Sequence, residues 1–302
     1  MNKKKVIAFI SLVIIVVLWG IVPVIGKYLF NNNFYSPSLL VAVRGLVAFV
    51  IMAIFILVSK QYKHLNKSYW ICIPAGLILG SAYLFQFIGL EGTSTSKNTF
   101  LEAFSVVATP ITLIILIRQK PTIASIIASL LCLVGVFILC GNGWDFSTIF
   151  TSWLLGDIFS AIGGALFGVN IAFTQVFAKN KNPFIYVAIQ MLVLAIMSFI
   201  YASIFERPLL FSWNVGNVFI VLFLAIFCTA GCWIVRAYAV REVSATTIAV
   251  MNPMSAVIAT IIAISIGQDR FTFNLLVGAI IIVFAILLSS LSQVKKESQN
   301  KQ

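Results

Sequence analysis

The chain has 302 residues, a formal net charge of +12, and a composition that is 61% hydrophobic and only 9% charged. Soluble domains carry about 25% charged residues, and no water-soluble fold of this length could bury so much apolar surface. The composition therefore excludes a soluble globular protein and predicts a protein that folds in lipid.

Ten hydrophobic segments follow one another along the chain, separated by short polar breaks. Each approaches or exceeds the roughly 20 residues that an α-helix needs to cross a bilayer core. The sequence therefore predicts an all-α polytopic membrane protein with ten transmembrane helices. The predicted spans are 6–28, 37–58, 69–90, 95–117, 122–140, 154–178, 184–205, 215–238, 246–266 and 273–292.

The basic residues predict the orientation, because Lys and Arg concentrate in short cytoplasmic loops. With the N-terminus assigned to the cytoplasm, the outer loops hold only Lys97, Arg207 and Arg270. Three more, Lys27, Arg44 and Arg236, lie within spans. Both termini are therefore expected in the cytoplasm, and the positive charge reflects topology rather than nucleic-acid binding. The cytoplasmic set is Lys3, Lys4, Lys5, Lys60, Lys63, Lys67, Arg118, Lys120, Lys179, Lys181, Arg241, Lys295, Lys296 and Lys301.

Short similarities between the two halves of the chain indicate a repeat. The spacing from Pro37 to Arg44 equals the spacing from Pro183 to Gln190. Two further matches pair Trp19-Gly20 with Phe167-Gly168, and Tyr83-Leu-Phe-Gln86 with Trp233-Ile-Val-Arg236. The prolines Pro110 and Pro253 do not fall in one register, so the fourth and ninth spans align only loosely.

Five spans are an odd number, so the second copy must enter the membrane from the opposite side. The sequence thus predicts two inverted repeats, an architecture that places a binding site at the repeat interface in many transporters. The predicted divisions are residues 1–141 for the first five-helix repeat, 142–153 for an external linker, 154–292 for the second repeat and 293–302 for a cytoplasmic polar tail.

Several motifs occur in a distinctive order along these spans. They are Trp19-Gly20, Arg44, the stretch from Gly89-Leu90 through Thr93-Ser-Thr-Ser-Lys97 to Pro110, Gly156-Asp157, Arg241-Glu-Val-Ser-Ala245, and Asn252-Pro253. In this order the chain resembles the drug/metabolite transporter (DMT) superfamily, specifically its bacterial EamA-type members. The resemblance implies a multi-pass transporter in the bacterial plasma (inner) membrane, with export of an amino acid or a related metabolite as the expected activity.

The chain departs from the EamA-type pattern in two ways. A Gly-Glu pair often closes the fourth and ninth spans in that family, whereas Arg118-Gln119 and Gly267-Gln268 stand here. A Glu commonly precedes the ninth-span proline, and here the residue is Asn252. If those carboxylates carry protons in relatives, proton coupling in this chain would need another group.

Two ionisable residues are expected deep in the membrane, where a charge must face a cavity or a partner. Arg44 lies about seven residues, or roughly 10 Å, inside its span at 1.5 Å per residue. It is interpreted either as an anchor for an anionic substrate group or as a structural residue. Glu102 lies at a comparable depth, so we expect it to pair with Arg44 and to carry any coupling proton.

Charged residues near span ends have simpler interpretations. Lys27 and Arg236 are expected to extend toward the interface, as long basic side chains commonly do. Arg236 stays a candidate for substrate contact because it aligns with Gln86 in the repeat. Asp157 opens the sixth span, where a carboxylate stabilises a helix N-terminus, so we predict a capping role.

Aromatic and amide side chains on several spans complete the candidate site. Aromatic faces with a few convergent polar groups are typical of pockets for small organic ligands. Amides inside a bilayer must find a partner, which favours a role for them in the site. The complete predicted set of substrate-binding residues is Trp19, Arg44, Tyr83, Gln86, Glu102, Asn170, Gln190, Trp233, Arg236 and Asn252.

The sequence favours a secondary transporter of a small polar metabolite that works by alternating access. The alternatives are a drug or organic-cation transporter, a sugar-type metabolite transporter, and a membrane receptor or scaffold without flux. No HExxH motif or nucleophile elbow occurs and the one histidine, His64, lies in a loop, so an enzyme is not expected. No GxxxxGK[ST] loop occurs, so coupling is expected from an ion such as the proton or from exchange. No cofactor or metal site is expected.

Overall fold

In this computed structural model, which describes residues 3–118, 123–140 and 154–299, the chain folds into a bundle of α-helices. The predicted linker, 142–153, lies outside the described residues. Short 3₁₀ turns at Gln61–His64 and Lys67–Ile71 join the second and third helices. The helices of the first half are α1 (Lys3–Asn31), α2 (Pro37–Val58), α3 (Cys72–Gly92), α4 (Thr95–Leu101), α5 (Phe104–Ile117) and α6 (Ile123–Cys140).

The second half repeats this order, with a π-helix at Leu224–Gly231 between α9 and α10. Its last helix continues to Gln299, so most of the predicted polar tail is helical. The helices are α7 (Leu155–Phe177), α8 (Pro183–Phe205), α9 (Val215–Phe223), α10 (Cys232–Ala239), α11 (Ala245–Met251), α12 (Met254–Ser265) and α13 (Phe273–Gln299).

Seven helical segments of the described chain are long and apolar enough to cross a membrane. The other three predicted spans contain shorter apolar helices, at Ile126–Gly135, Met254–Ser265 and Phe273–Ala285. Large apolar side chains such as Leu57 and Ile115 are 63% and 75% exposed on the outer surface. Such a surface requires lipid around it, so the protein is a multi-pass membrane protein. The total of ten crossings stays a prediction.

The two halves enter the bundle from opposite sides. We call the side on which α1 begins the near side and the other the far side. At the far-side end of α1, Lys27 Nζ donates to the carbonyl oxygens of Leu90 and Thr93, where α3 ends, at 2.9 and 2.8 Å. The end of α3 in turn packs against Gly156, at the start of α7. Helix α7 therefore begins where α1 ends, as inverted repeats require.

Glycines let α3 and α7 cross in contact at the far side. A Cβ placed on Gly156 would lie 2.5 Å from the carbonyl carbon of Gly92 and 2.7 Å from the carbonyl oxygen of Gly89. A Cβ on Gly89 would lie 2.7 Å from the backbone nitrogen of Ser160. Because these neighbours are backbone atoms, they cannot move aside, and only glycine permits this distance between the helix axes.

The fourth and ninth predicted spans are each broken by a short turn in the same place. In the fourth, Glu102 and Ala103 separate α4 from α5, and in the ninth, Asn252 and Pro253 separate α11 from α12. The helix boundaries on either side of each break differ by the same 150 positions. The structural equivalents are therefore Glu102 and Asn252, which explains why Pro110 and Pro253 do not share a register in the sequence.

Replacing Gly156 with Ala tests the contact between α3 and α7. The added Cβ meets backbone that cannot shift, so we expect the free energy of unfolding in detergent micelles to fall by at least about 2 kcal/mol. The matched control is Gly92→Ala, because a Cβ at Gly92 would meet its nearest neighbours at 3.4 and 3.6 Å, which is ordinary contact. Equal stabilities of the two variants in chemical unfolding would contradict this packing.

Candidate substrate-binding site

A pocket lies in the middle of the bundle, at the interface of the two repeats. The empty volume between its lining atoms is about 420 Å³. Only about 40 Å³ of this volume is wide enough for the centre of a water molecule. That space holds on the order of three waters, so the lining must move apart to accept a metabolite. We call this the central pocket, and it is lined by Trp19, Val22, Arg44, Tyr83, Gln86, Glu102, Phe167, Trp233, Arg236 and Asn252.

The lining consists largely of pairs from equivalent positions of the two repeats. The aromatic pair Tyr83 and Trp233 meets directly, since Trp233 Nε1 donates to the Tyr83 hydroxyl at 2.8 Å. A second aromatic pair is Trp19 and Phe167. The polar pairs are Gln86 with Arg236, and Glu102 with Asn252, which stands in the helix break. Arg44 and Val22 are contributed by the first repeat alone.

Arg44 is buried, with 2% of its surface exposed. Its Nε and Nη2 donate to Thr229 Oγ1 at 3.2 and 3.0 Å, while Nη1 has no hydrogen-bond partner among the described residues. The guanidinium also lies over the rings of Phe87 and Tyr83, with its carbon 5.3 and 5.7 Å from the ring centroids. Arg44 thus joins the central pocket to the helix that carries Thr229.

Thr229 belongs to the π-helix, which interrupts the eighth predicted span beside the pocket. Its hydroxyl donates to the carbonyl of Leu224 at 2.9 Å, and the indole of Trp19 donates to the carbonyl of Cys228 at 3.0 Å. A π-helix has i→i+5 backbone hydrogen bonds and is less favourable than an α-helix. The hydrogen bonds from Thr229 and Trp19 to its carbonyl groups offset part of this free-energy cost. The corresponding stretch of α3 in the first repeat is regular α-helix.

Arg236 does not extend toward the interface, so that prediction is wrong. Only 2% of its surface is exposed. Its guanidinium carbon lies 4.3 Å from the ring centroid of Trp233 and 5.9 Å from that of Trp19. Two of its nitrogens, Nε and Nη2, have no hydrogen-bond partner among the described residues. The side chain lies among the aromatic walls of the pocket rather than at a lipid headgroup.

Glu102 pairs with Gln86 rather than with Arg44, so the predicted Arg44–Glu102 pair is also wrong. The Gln86 amide nitrogen donates to the Glu102 carboxylate across the break between α4 and α5. Across residues 3–118, 123–140 and 154–299, neither Arg44 nor Arg236 has a carboxylate within ion-pair distance. The central pocket therefore contains two guanidinium groups and one carboxylate.

Two of the predicted site residues lie outside the pocket lining. Asn170 is fully buried and donates to the carbonyl of Ala75 at 3.1 Å, which joins α7 to α3. The Gln190 amide nitrogen donates to the hydroxyl of Tyr186 one turn earlier in α8, at 3.4 Å. Sequence reasoning missed Val22 and Phe167, because an apolar side chain in a span carries no signal that separates a pocket wall from a lipid contact.

The remaining charged residues near span ends hold helix termini at the far side. Lys27 Nζ is bound by carbonyl oxygens at the end of α3, and the extension of this side chain toward the membrane interface stays a prediction. Asp157 caps α7 as predicted, since its carboxylate accepts from the Leu154 nitrogen at 3.1 Å. The same carboxylate also accepts from the hydroxyl of Thr93 and lies 3.6 Å from Lys97 Nζ.

A second cavity lies at the near-side ends of α5, α7 and α10. The volume wide enough for the centre of a water molecule is about 450 Å³ here, compared with about 40 Å³ in the central pocket. Its lining is polar and charged in part, as expected for a surface open to water. We call it the near-side cavity, and it is lined by Ile117, Gln175, Val176, Lys179, Val240, Arg241, Glu242, Val243 and Ser244.

Metal-ligating side chains do not gather in the described ranges. Within residues 3–118, 123–140 and 154–299, no group of three or more His, Cys, Asp or Glu residues could hold an ion. Cys228 and Cys232 are free and buried, one turn apart beside the pocket. Two thiols alone fall short of the four ligands that zinc takes in structural sites.

Thr229→Val tests the link between Arg44 and the π-helix. Valine keeps the shape but removes the acceptor for Arg44 and the donor to Leu224, so we expect unfolding free energy in micelles to fall by about 1–3 kcal/mol. The matched control is Thr260→Val, because the buried Thr260 hydroxyl has no partner among the described residues and its removal should cost little. Equal losses in the two variants would show that the Thr229 contacts contribute nothing.

Comparisons with known proteins agree with this architecture. The sequence profile of the EamA-like transporter family matches residues 6–141 and 154–291, one copy in each half of the chain. A protein of Archaeoglobus fulgidus, described as an uncharacterized transporter, is 23% identical over 288 residues, covering 95% of this chain and 87% of its own length.

Another relative and one solved structure cover almost the whole chain. A protein of Clostridium kluyveri, likewise described as an uncharacterized transporter, is 20% identical over 300 residues, covering 97% of this chain and 96% of its own. One crystal structure has the same fold, with a TM-score of 0.69 at 17% identity over 98% of this chain and 99% of that chain. Because the family profile matches both halves of the chain, the protein belongs to the EamA-like transporter family, and with it to the DMT superfamily.

Proposed function

We propose that the protein is a secondary transporter that exports an amino acid or a related small polar metabolite by alternating access. Family membership supports membrane transport of some substrate. The observation that carries the finer proposal is the central pocket, in which polar side chains from equivalent positions of both repeats converge between aromatic walls. Inverted repeats that enclose such a site are the usual basis of alternating access.

The contacts between the repeats support a state that is closed on the far side. Glu206 of the second repeat accepts from the backbone nitrogens of Ser38 and Leu39 at 2.8 and 3.3 Å, at the start of α2. Asp269 accepts from the backbone nitrogen of Ser96 at 2.6 Å, at the start of α4. Carboxylates of one repeat thus hold helix N-termini of the other, and these bonds would break when the far side opens.

The near side is held together differently. Between the repeats, the Tyr69 hydroxyl accepts from the backbone nitrogen of Asn182 at 2.9 Å, and no carboxylate takes this role among the described residues. Within the second repeat, the Gln175 amide oxygen accepts from the backbone nitrogen of Ala245. The near-side cavity lies directly beside this contact. We infer that the near side is the cytoplasm of a bacterial cell, with both termini there and ten crossings of the plasma (inner) membrane, as the loop charges predict.

Energy for transport would come from a proton gradient or from exchange of substrates. Glu102 is the one acidic side chain in the lining of the central pocket, and its partner is a neutral amide. A carboxylate at membrane depth without a cation beside it is well suited to bind and release a proton. We propose Glu102 as the proton carrier, with exchange as the alternative.

The other functions are less well supported. An organic cation would meet two guanidinium groups in the central pocket, which disfavours a drug or cation transporter. A sugar-type metabolite fits the aromatic walls but leaves the positive charge without a partner. A receptor or scaffold is disfavoured because both relatives are described as transporters. No catalytic constellation lies in the pocket among the described residues, so we do not propose an enzyme.

Counterflow in proteoliposomes tests transport itself. With the purified protein reconstituted and one unlabelled substrate trapped inside, we expect a saturable, transient accumulation of at least one of the twenty labelled amino acids. Panels of organic cations and sugars serve as comparison classes, and protein-free liposomes as the background. Accumulation confined to cations or sugars would replace the substrate class, and none with any compound would favour a receptor.

Glu102→Gln tests the proton carrier. The amide cannot bind a transported proton, so uptake driven by an imposed pH gradient should be lost while counterflow, which needs no net proton movement, continues. The matched control is Glu91→Gln, an exposed acid at the end of α3. Gradient-driven uptake that survives in Glu102→Gln would show that Glu102 is not the proton carrier, whereas no gradient-driven uptake in the parent protein would leave exchange as the coupling mechanism.

A further inference from the structure

The two guanidinium groups of the central pocket differ in which nitrogens are free. Arg44 uses its Nε and Nη2 to bind Thr229, and only Nη1 is left without a partner. Arg236 has the opposite pattern, with Nε and Nη2 both unpartnered in the described chain. The same edge of the guanidinium is therefore occupied in Arg44 and vacant in Arg236.

That edge has a specific chemistry. The Nε–H and Nη2–H bonds of an arginine are parallel, and they match the two oxygens of a carboxylate in a bidentate contact. Lysine offers no such fork, and a single hydroxyl or carbonyl satisfies only part of it. The free edge of Arg236 is thus shaped for a planar group with two oxygen acceptors.

No part of the described protein supplies that group. The carboxylate of the pocket belongs to Glu102, which accepts from Gln86, and it is not within ion-pair distance of Arg236. The rings of Trp233 and Trp19 attract the positive charge through their faces, but they accept no hydrogen bond in the plane of the guanidinium. Because buried donors are normally paired, the missing acceptor is expected from a ligand.

The charge and shape of the lining narrow the class of ligand. Two guanidinium groups outnumber the one carboxylate of the lining, so the pocket favours an anionic group on the ligand. The lining also contains aromatic and apolar side chains, including Phe167 and Val22. Such walls suit the organic remainder of a metabolite better than they suit an inorganic anion, whose other oxygens would be desolvated without partners.

We propose that Arg236 binds the carboxylate of the transported metabolite through its Nε and Nη2 edge. This inference rests on the proposed transport function for the nature of the ligand, and it assigns the substrate a required free carboxylate. Arg236 is then a specificity-determining residue, whereas Arg44 is held by Thr229 of the π-helix.

Matched pairs of acid and amide test the inference on the full-length purified protein. The probes are leucine, phenylalanine, glutamine and serine, each with its α-amide, together with inorganic phosphate. Binding is measured by the ligand-dependent shift of thermal unfolding in detergent. We expect at least one acid to bind, and its amide to bind at least about tenfold more weakly, because the amide lacks the charge and one acceptor oxygen.

Variants of Arg236 test whether the preference for the acid over the amide depends on the parallel Nε–H and Nη2–H donors of this residue. In Arg236→Gln the acid and the amide should bind equally weakly, and in Arg236→Lys, which keeps the charge without the fork, the preference should be partly restored. The matched control is Arg207→Gln, because Arg207 is an exposed arginine at the far side and its removal should leave the preference unchanged. Without ligand, Arg236→Gln should unfold at or above the temperature of the wild type, since an unpaired buried charge is removed.

The outcomes separate this inference from the proposed function. Amides that bind as well as acids, a preference retained in Arg236→Gln, phosphate as the tightest probe, or no shift with any acid would each overturn the carboxylate site. Counterflow that continues without the acid preference would leave transport standing. Acid-selective binding without any counterflow would support the site and reject transport. A less stable Arg236→Gln with the acid preference intact would make Arg236 a structural residue.

Discussion

Two buried guanidinium groups without carboxylate partners among the described residues place the strongest constraint on this bundle. A charge at membrane depth must be compensated, and here the compensation comes from aromatic faces and a threonine hydroxyl rather than from an acid. The π-helix and the aromatic pair beside it each supply part of this compensation. The π-helix presents Thr229 to Arg44, and the aromatic pair of Tyr83 and Trp233 separates the two arginines by its own hydrogen bond. The Nε and Nη2 edge of Arg236, in the middle of the molecule, has no hydrogen-bond partner among the described residues.

The two repeats have equivalent helices, but they carry chemically different side chains at equivalent positions of the central pocket. Equivalent positions carry Gln86 and Arg236, and equivalent helix breaks carry Glu102 and Asn252. The first repeat therefore contributes a carboxylate with its own amide donor, whereas the second contributes a free cation. The far side has the same character, because acids of the second repeat hold helix starts of the first. Such asymmetry lets one pair of similar repeats favour one closed side while the other side stays open.

Much of this site was predictable from the sequence, because polar residues in apolar spans are rare and informative. Eight of the ten predicted residues line the central pocket, and both members of the aligned pairs Tyr83 with Trp233 and Gln86 with Arg236 are among them. Partners could not be predicted, because depth along a helix does not give rotation about its axis. For that reason the sequence predicts the wrong partner for Glu102, and it places Asn170 in the site although Asn170 faces α3. The π-helix also left no signal, since its residues are ordinary apolar ones.

The accessibility of the central pocket from each side of the membrane tests the central claim most directly. Val22 lines the pocket and is apolar, so Val22→Cys introduces a thiol there with little disturbance. Its reaction with a membrane-impermeant thiol reagent would be measured in right-side-out and inside-out vesicles, against the parent protein, in which Cys72, Cys132, Cys228 and Cys232 are buried. Alternating access predicts labelling from both sides and protection by the transported metabolite. Labelling from one side only, with or without that metabolite, would contradict a transporter and leave a one-sided binding protein.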